Sequence, residues 1–198
     1  LIGIPYSYYS PLAYLKTNVE GTYNILESSK NLNMDQVIIT STSETYGSAQ
    51  YTPMDENHPL VGQSPYSASK IAADQLALSY YKSFETPIKI IRPFNVYGPR
   101  QSLRAVIPTI ISQLNKSNVV KLGNLETYRD YTYVLDLCSA YKTIMKTNYF
   151  FGKVVNVGSG KCNSINEIVS LISKKLEINN LKIILEKKRM RPLKSEVN

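Results

Sequence analysis

The chain contains 198 residues, of which 43% are hydrophobic and 19% are charged, and its formal net charge is +8 at pH 7. This composition predicts a globular protein with a sizeable core and excludes an intrinsically disordered one. No apolar run approaches the length of about 20 residues that a membrane-spanning helix needs, so we expect no membrane partner. Cys138 and Cys162 lack C-x-x-C spacing, which favours a reduced, cytoplasmic location without a structural metal site.

The positive charge suggests the hypothesis of a nucleic-acid binder. The basic residues are spread along the chain, however, apart from a cluster at Lys187, Lys188, Arg189 and Arg191. No known nucleic-acid-binding motif accompanies them, and a basic surface that attracts a diphosphate is the simpler interpretation. We therefore expect no nucleic-acid partner. The alternative predicts a DNA affinity that falls steeply with salt and does not depend on Tyr66.

The first hundred residues predict helices and buried strands in alternation. Ser10-Pro11 and Ser64-Pro65 each mark a helix start, and apolar residues recur at helical spacing after both pairs. Short continuous apolar runs are typical of parallel strands that are buried on both faces. The predicted elements are a helix over 11–30, a strand over 37–39, a polar loop over 48–63, a helix over 65–83 and a strand over 88–91. This order is typical of an α/β, doubly wound parallel sheet.

After Gly98 the pattern changes to shorter elements of mixed type. Asp136 is predicted to cap a helix, and Ser164 and Glu167 have the spacing of a capping box. The predicted elements are helices over 106–114, 136–147 and from 165 onward, and strands over 119–122, 131–134, 154–157 and 182–185. We therefore expect a smaller, mixed α+β lobe from about residue 100, with the functional site between the two lobes.

Tyr66 and Lys70 are four residues apart on the second predicted helix, so they lie on one face of it, one turn apart. A free tyrosine has a pKa near ~10, and a nearby ammonium lowers that pKa because it favours the phenolate. Such a pair can take a proton from an alcohol while hydride leaves its carbon. The Y-x-x-x-K pattern alone is weak in a chain with 16 tyrosines, and a half-buried tyrosine beside an exposed lysine is the simplest interpretation.

Two polar segments give the pair a context, because each follows a predicted strand. Residues 41–44 follow the first strand and residues 92–100 follow the second. In open α/β sheets ligands bind outside the carboxyl ends of the strands, so both segments are expected at the site.

Five motifs occur in a characteristic order along the chain. They are TNVxGT at 17–22, STSETYG at 41–47, YxxxK at 66–70, RPFNxYGP at 92–99 and RDYxYVxD at 129–136. Together they resemble the extended short-chain dehydrogenase/reductase family, the NAD-dependent nucleotide-sugar epimerases and dehydratases. The resemblance covers almost the whole chain. It implies that residues 1–100 are part of an NAD-binding Rossmann domain, and that residues 101–198 mainly form a substrate-binding lobe, with some segments returning to the Rossmann sheet.

One feature of the family is not found in this sequence. The family begins with a strand and a G-x-x-G-x-x-G turn that holds the dinucleotide pyrophosphate, whereas Leu1 matches a point near the fourth family strand. The resemblance therefore implies an N-terminal truncation of roughly 80 residues, two to three βαβ units of about 30 residues each. We expect this chain alone to be inactive, and the choice between NAD and NADP stays open.

Within the family the chain most resembles the NAD-dependent nucleotide-sugar 4,6-dehydratases. The segments LIGIPYSY at 1–8, RAVIP at 104–108 and RPxKSEV at 191–197 resemble the branch that makes precursors of legionaminic-acid-type sugars from GDP-N-acetylglucosamine. Such an enzyme oxidises C4 of the sugar with NAD, eliminates water across C5 and C6, and returns the hydride to C6. The resemblance implies a 4-keto-6-deoxy product.

The resemblance assigns catalytic roles to Thr42, Ser43, Glu44, Tyr66 and Lys70. Tyr66 is the base at the C4 hydroxyl, Lys70 lowers its pKa and holds the nicotinamide ribose, and Thr42 hydrogen-bonds the C4 oxygen. Glu44 removes the C5 proton, which the neighbouring ketone acidifies. Ser43 stands where several related dehydratases carry Asp, so Glu44 is expected to serve both C5 and C6, with Ser43 positioning it.

The resemblance also implies binding residues for two ligands, and no metal. The cofactor contacts are Ser41, Tyr66, Lys70, Pro93, Phe94 and Val96. The substrate contacts are Asn95, Arg104, Val106, Ile107, Arg129 and Arg191. Two of these, Arg129 and Arg191, would clasp the diphosphate or ribose, since a guanidinium fork matches phosphate oxygens.

Several alternatives stay open at this point. The Thr-Ser-Glu set also occurs in decarboxylases of UDP-glucuronate, and nucleotide-sugar 4-epimerases share the scaffold, although they usually lack a glutamate at position 44. A non-catalytic NAD-binding scaffold protein is a further alternative, which has no need of the four residues Thr42, Glu44, Tyr66 and Lys70. Family members usually pair through two long helices, so we expect a homodimer through the helices near 11–31 and 65–83.

Three other features have two interpretations each. Asn18 either contacts the catalytic network or only bonds the backbone at a helix kink. His58, the single histidine of the chain, lies in a polar loop, where a bystander role is favoured. The segment 158–160 (GSG) is similar to a phosphate loop, but a tight turn is the better interpretation.

Overall fold

Short β-sheets and seven α-helices make up the structure, a computed structural model that describes residues 1–190 except the side chain of Lys188. The helices are α1 (Ile4–Tyr9), α2 (Pro11–Tyr14), α3 (Gly21–Asn31), α4 (Pro65–Phe84), α5 (Val106–Leu114), α6 (Val134–Met145) and α7 (Ile165–Lys175). The strands are β1 (Val37–Thr40), β2 (Ile88–Pro93), β3 (Asn95–Tyr97), β4 (Val119–Leu122), β5 (Tyr128–Tyr133), β6 (Val154–Val157), β7 (Cys162–Ser164) and β8 (Lys182–Leu185).

The first sheet is parallel and has the strand order β1-β2-β6. Its central strand pairs Ile88 with Val37 on one side and Ile90 with Val154 on the other. The core around it comes from α3, α4 and both strands, and its buried members are Leu26, Val37, Ile39, Ala77, Tyr80, Ile88 and Ile90. Residues 88–92 of β2 are all buried, so the strand is covered on both faces, as is usual for a parallel sheet between helices. The predicted α/β class is confirmed.

A second group of strands forms a mixed lobe. Strand β5 pairs in parallel with β3 and antiparallel with β7, while β4 pairs in parallel with β8. The core of this lobe lies between α5, α7 and β4, and its buried members are Ile110, Leu114, Val120, Leu122, Ile165 and Val169. The division of the chain at residue 100 stays a prediction, and β6, which follows that point, pairs with β2.

Most predicted elements are present, and the differences occur where local signals compete with tertiary contacts. The first long helix is interrupted by a π-helical segment, Leu15–Glu20, and α1 precedes it although no helix was predicted there. Ser10 makes no side-chain cap bond. Helix α6 starts at Val134, so Asp136 lies in its first turn and does not cap it. Strand β5 begins before the predicted residue 131.

Lys89 is fully buried in the central strand, at the end of β2 that lies far from the polar segments. Its ammonium donates to the backbone oxygens of Ile144, at 2.9 Å, and Thr147, at 2.6 Å, and to the side chain of Gln36 at 3.0 Å. These carbonyls belong to the end of α6, where the last backbone oxygens of a helix have no partner within the helix. The lysine therefore caps α6 from inside the protein. Across residues 1–190, every helix is too short or too polar to cross a membrane.

Candidate active site

The site begins where β1 ends and α4 starts. Thr42 follows β1 and caps a short 3-10 helix, Ser43–Tyr46, by accepting a hydrogen bond from the backbone N–H of Glu44 at 3.2 Å. Tyr66 is the second residue of α4, whose start is fixed by a capping box between Ser64 and Ser67. The hydroxyl group of Thr42 lies close enough to that of Tyr66 to lower the pKa of the tyrosine. The structure thus brings together two predicted catalytic residues from separate motifs.

Tyr66 is only 6% exposed, and its environment disfavours the phenolate. Burial raises the pKa of Tyr66 to about 12, and the negative charges of Glu44 and Asp74 act in the same direction, whereas the hydroxyl of Thr42 opposes them. The role of Lys70 in lowering that pKa stays a prediction. The ammonium of Lys70 donates to the backbone carbonyl of Thr40 at 2.5 Å.

Glu44 lies beside these residues in a half-buried position. Its carboxylate is close enough to raise the pKa of Tyr66, and it sits one residue after Ser43, the first residue of the 3-10 helix. The site therefore combines a buried tyrosine, a bonded threonine hydroxyl and a carboxylate. Such a set can exchange protons at two neighbouring positions of one bound molecule.

A buried ion pair supports the site from below. Nε and Nη2 of Arg92 donate to the same carboxylate oxygen of Asp74, at 3.0 and 2.9 Å. That oxygen also accepts from the hydroxyl of Ser41 at 2.7 Å, so this predicted cofactor residue points its side chain at Asp74. Burial raises the pKa of Asp74, while the Arg92 guanidinium lowers it. Burial lowers the pKa of Lys70, one turn earlier in α4, and Asp74 opposes that effect.

Tyr46 extends this buried network to the first-sheet strand β6. Its hydroxyl accepts from Nη1 of Arg92 at 3.0 Å and donates to the side chain of Asn156 at 2.7 Å. The polar ends of the three first-sheet strands are thus held together by side chains.

A cavity of about 380 Å³ is lined by Pro5 of α1 and by residues of the mixed lobe, and the predicted catalytic residues are not part of its described lining. Five of the predicted substrate residues line it, namely Asn95, Arg104, Val106, Ile107 and Arg129. Val96, which was predicted to contact the cofactor, lines the same cavity. Pro93 ends β2, and Phe94 is held against β6 by a hydrogen bond from its backbone N–H to the carbonyl of Val157 at 2.9 Å. The sixth predicted substrate residue, Arg191, lies outside the described residues.

Sequence reasoning missed several residues of the cavity wall, among them Arg189, Gln101 and Tyr131. Arg189 reaches the wall because β8 pairs with β4 and the chain then passes close to Gly123. A Cβ atom at Gly123 would lie 2.6 Å from the backbone oxygen of Arg189, so this approach requires glycine. The basic cluster at the chain end was visible in the sequence, but the strand pairing that delivers it was not.

Two of the ambiguous residues now have defined contacts. Asn18 lies in the π-helical segment, and its side chain donates to the hydroxyl of Ser69 in α4 at 3.0 Å and to the backbone oxygen of Leu1 at 3.0 Å. His58 is 2% exposed. Its Nε2 accepts the backbone N–H of Gln50 at 2.9 Å, which gives it a structural role in the loop.

The comparisons with known proteins agree with this geometry. Residues 1–197 match the family model described as GDP-mannose 4,6 dehydratase. The dTDP-D-glucose 4,6-dehydratase of Dictyostelium discoideum is 35% identical over 165 residues, which are 77% of this chain and 38% of that protein. The chain thus spans about two fifths of the length of this relative.

Solved structures give the same result for the fold. An NAD-dependent NDP-hexosamine 5,6-dehydratase, TunA, which is involved in tunicamycin biosynthesis, superimposes with a TM-score of 0.89 at 29% identity and covers 100% of this chain and 63% of its own. A UDP-N-acetylglucosamine 4-epimerase from Methanobrevibacter ruminantium M1 in complex with UDP-N-acetylmuramic acid gives 0.86 at 31% identity, covering 97% and 62%. The chain belongs to the GDP-mannose 4,6 dehydratase family, among the short-chain dehydrogenase/reductase enzymes that include nucleotide-sugar dehydratases and epimerases.

Proposed function

We propose that the protein is an NAD-dependent nucleotide-sugar 4,6-dehydratase whose substrate is GDP-N-acetylglucosamine. The observation that carries the proposal is the grouping of Thr42, Glu44 and Tyr66, in which a buried tyrosine lies close to both a threonine hydroxyl and a carboxylate. An enzyme that only oxidises and reduces one carbon needs the tyrosine. The carboxylate gives the site a second base for a second carbon.

The residues fit a dinucleotide with its nicotinamide end near Lys70. Lys70 is anchored on Thr40 at the end of β1, and Pro93 and Phe94 stand half-exposed at the end of β2, on the same edge of the sheet. Ligands bind at this edge in open α/β sheets. NAD, when bound, would supply the acceptor for the C4 hydride and later return that hydride to C6.

Side chains of the protein carry out the proton transfers. Tyr66 takes the proton of the C4 hydroxyl as the C4 carbonyl forms, and Thr42 holds the C4 oxygen through its hydroxyl. The new carbonyl acidifies the proton on C5, which Glu44 removes as the C5–C6 double bond forms. Glu44 passes this proton to the departing C6 hydroxyl, and one water leaves. After the hydride has returned to C6, Glu44 takes a proton from solvent and delivers it to C5, which completes the 4-keto-6-deoxy sugar, and Tyr66 releases the proton of the C4 hydroxyl to solvent.

The charge and size of the cavity support a nucleotide sugar as the substrate. Arg104, Arg129 and Arg189 line it, and a guanidinium binds a diphosphate through paired hydrogen bonds. Val106 and Ile107 add an apolar wall that suits a nucleobase. The volume of about 380 Å³ lies in the range of roughly 300–1,000 Å³ that is usual for small-molecule sites.

A 5,6-dehydratase is the second candidate, favoured by the similarity to TunA over 100% of this chain. It would use the same residues but leave a C5–C6 double bond in the product. A 4-epimerase is less well supported, because inversion at C4 removes no C5 proton and gives Glu44 no task. A UDP-glucuronate decarboxylase stays an alternative on the same scaffold.

The proposed function is tested with the longest form of the protein that its gene encodes. It is incubated with NAD and, in parallel, with GDP-N-acetylglucosamine, UDP-N-acetylglucosamine and UDP-glucuronate, and the products are followed by mass spectrometry and proton NMR. We expect the GDP-linked sugar to lose the mass of one water and to gain a C6 methyl signal. Olefinic protons in place of the methyl would support the 5,6-dehydratase, and loss of carbon dioxide from UDP-glucuronate would support the decarboxylase. Unchanged mass with every sugar would contradict a dehydratase.

We also propose that two copies pair through α2, α3 and α4. The observation in favour is a set of exposed apolar side chains on the first helices, namely Leu12 (61% exposed), Leu15 (51%), Tyr23 (46%) and Ile25 (56%). Light scattering coupled to gel filtration tests the dimer, and Leu15→Glu is expected to yield monomers. A cytoplasmic location stays a prediction.

A further inference from the structure

The turn that follows β6 encloses a carboxylate. The backbone N–H and the hydroxyl of Ser159 donate to Oδ1 of Asp130 at 2.9 and 2.7 Å. The backbone N–H of Gly160 donates to Oδ2 at 2.7 Å, and Asp130 is only 7% exposed. Successive N–H groups that converge in this way form an anion-binding nest. The similarity of the 158–160 segment to a phosphate loop thus has a physical basis, but its anion is a side chain of the same protein.

The glycines of the turn are required by this arrangement. A Cβ atom at Gly158 would lie 2.8 Å from Oδ2 of Asp130 and 3.2 Å from the ring of Phe94. Gly160 has a φ of +75°, in the left-handed region that favours glycine. The turn therefore packs closely around the carboxylate of Asp130, and this packing requires the two glycines.

Asp130 connects the two lobes at the edge of the cavity. It belongs to β5 in the mixed lobe, while the turn extends β6 of the first sheet. Its neighbour in β5, Arg129, lines the cavity together with Asn95, which begins β3 next to Phe94 and pairs with Tyr131 of β5. The position of Arg129 relative to Asn95 thus depends on how firmly β5 is tied to the end of β6.

We propose that Asp130 is a positioning residue, which sets the placement of Arg129 and thereby the affinity of the cavity for a nucleoside diphosphate. This inference rests on the proposed function of that cavity. Charge-assisted hydrogen bonds from three donors make Asp130 a strong tie, since such bonds are about twice as strong as neutral ones. A binding group that is displaced by about 1 Å can lose much of its effect.

The test substitutes the carboxylate by its isosteric amide, Asp130→Asn, in the longest form of the protein. The side-chain amide of this variant turns its own N–H groups toward at least one backbone N–H of the nest, and two donors cannot bond to each other. The link between β5 and the turn is therefore lost, while the side-chain volume stays the same. Affinities for GDP and UDP are measured by calorimetry, and KM and kcat are measured with the nucleotide sugar. We expect the dissociation constants and KM to rise at least about tenfold while kcat changes little, because Tyr66 and Glu44 lie on other elements.

Lys89→Met is the matched control for a general loss of stability. Lys89 is as fully buried as Asp130 but lies at the other end of the first sheet, so its loss should lower the melting temperature and leave KM unchanged. Ser159→Ala removes one donor from the nest and should raise KM less than Asp130→Asn does. It provides the same test if the amide variant does not fold.

The outcomes separate this inference from the proposed function. If the unsubstituted protein binds nucleotides and folded Asp130→Asn binds them equally well, the inference is overturned and the proposed function stands. An equal rise of KM in Lys89→Met would likewise overturn it, because loss of stability alone would then explain the effect. A protein that binds no nucleotide before substitution would overturn both.

Discussion

The ammonium group of Lys70 lies 2.5 Å from the backbone carbonyl oxygen of Thr40, two residues before Thr42, whose hydroxyl lies near that of Tyr66. The lysine is therefore anchored to the end of β1 by this hydrogen bond. In this arrangement burial dominates, and the pKa of Tyr66 is raised to about 12. A bound nicotinamide ribose would compete with Thr40 for the ammonium of Lys70. The released ammonium would then favour the phenolate of Tyr66.

Replacing Tyr66 by phenylalanine tests its role as the base at C4. The substitution removes the hydroxyl and keeps the ring, so we expect kcat to fall by about 10²–10⁴, the usual contribution of a positioned acid–base group. Affinity for GDP should be unchanged, because the arginines of the cavity remain. Tyr14→Phe is a matched control, since its ring packs edge-on against Tyr66 at 6.1 Å and its hydroxyl only bonds the carbonyl of Gly3. Equal losses in both variants would contradict the assignment.

The pH dependence of the reaction tests the role of Lys70. A tyrosine with a raised pKa is protonated at neutral pH, so kcat/KM should increase with pH as Tyr66 loses its proton. Lys70→Met removes a cation that favours the phenolate, so the rising limb should move to higher pH and activity at neutral pH should fall. Lys70→Arg keeps the charge and should keep the limb near its original position. If the rising limb of the pH profile stays at the same pH in Lys70→Met, the lysine does not lower the pKa of Tyr66.

Removing one partner of the ion pair between Asp74 and Arg92 should destabilise the protein more than removing both partners. Their side chains are 0% and 2% exposed, so Arg92→Met leaves a buried carboxylate without its counter-charge and should cost about 3–5 kcal/mol of unfolding free energy. The double variant Asp74→Leu, Arg92→Met leaves no buried charge and should cost less than the single one. Urea denaturation measures both. A double variant that is less stable than Arg92→Met would contradict this account.

Lys89 gives a second prediction of stability, at the end of the sheet away from the active site. Lys89→Met removes three hydrogen bonds and leaves the acceptors at the end of α6 without their donor. We expect a loss of roughly 2–4 kcal/mol, because unsatisfied buried acceptors carry most of their desolvation cost. Lys121→Met, at an exposed position of strand β4, serves as the control and should be close to neutral. Similar losses in the two variants would rule out the capping role.

Much of the fold could be predicted because its signals are local. The apolar run at 88–91, the helix start at Ser64-Pro65 and the capping box of Ser164 and Glu167 all correspond to observed elements. Each depends on residues within one turn or one strand. The grouping of Thr42 with Tyr66 was implied by the resemblance of their two motifs to the family, since Tyr66 lies at the start of a helix and not at the end of a strand.

The remaining features depend on residues that are far apart in the sequence. Asn18, in the π-helical segment, bonds to Ser69, 51 positions later, and the nest around Asp130 depends on a turn about thirty positions later. Arg189 reaches the cavity only because β8 pairs with β4. The raised pKa of Tyr66 results from burial, which the spacing of Tyr66 and Lys70 does not report.

Tyr66 is assigned to the C4 hydroxyl and Glu44 to the C5 proton, and the fate of the C5 proton tests this assignment most directly. The reaction is run in deuterium oxide with GDP-N-acetylglucosamine, and the product is examined by NMR and mass spectrometry. We predict one deuterium at C5, because Glu44 exchanges its proton with solvent, and a C6 methyl that receives its hydride from C4. Glu44→Gln should form no 4-keto-6-deoxy product. A product without deuterium at C5, or normal turnover by Glu44→Gln, would contradict the assignment of Glu44 as the C5 base.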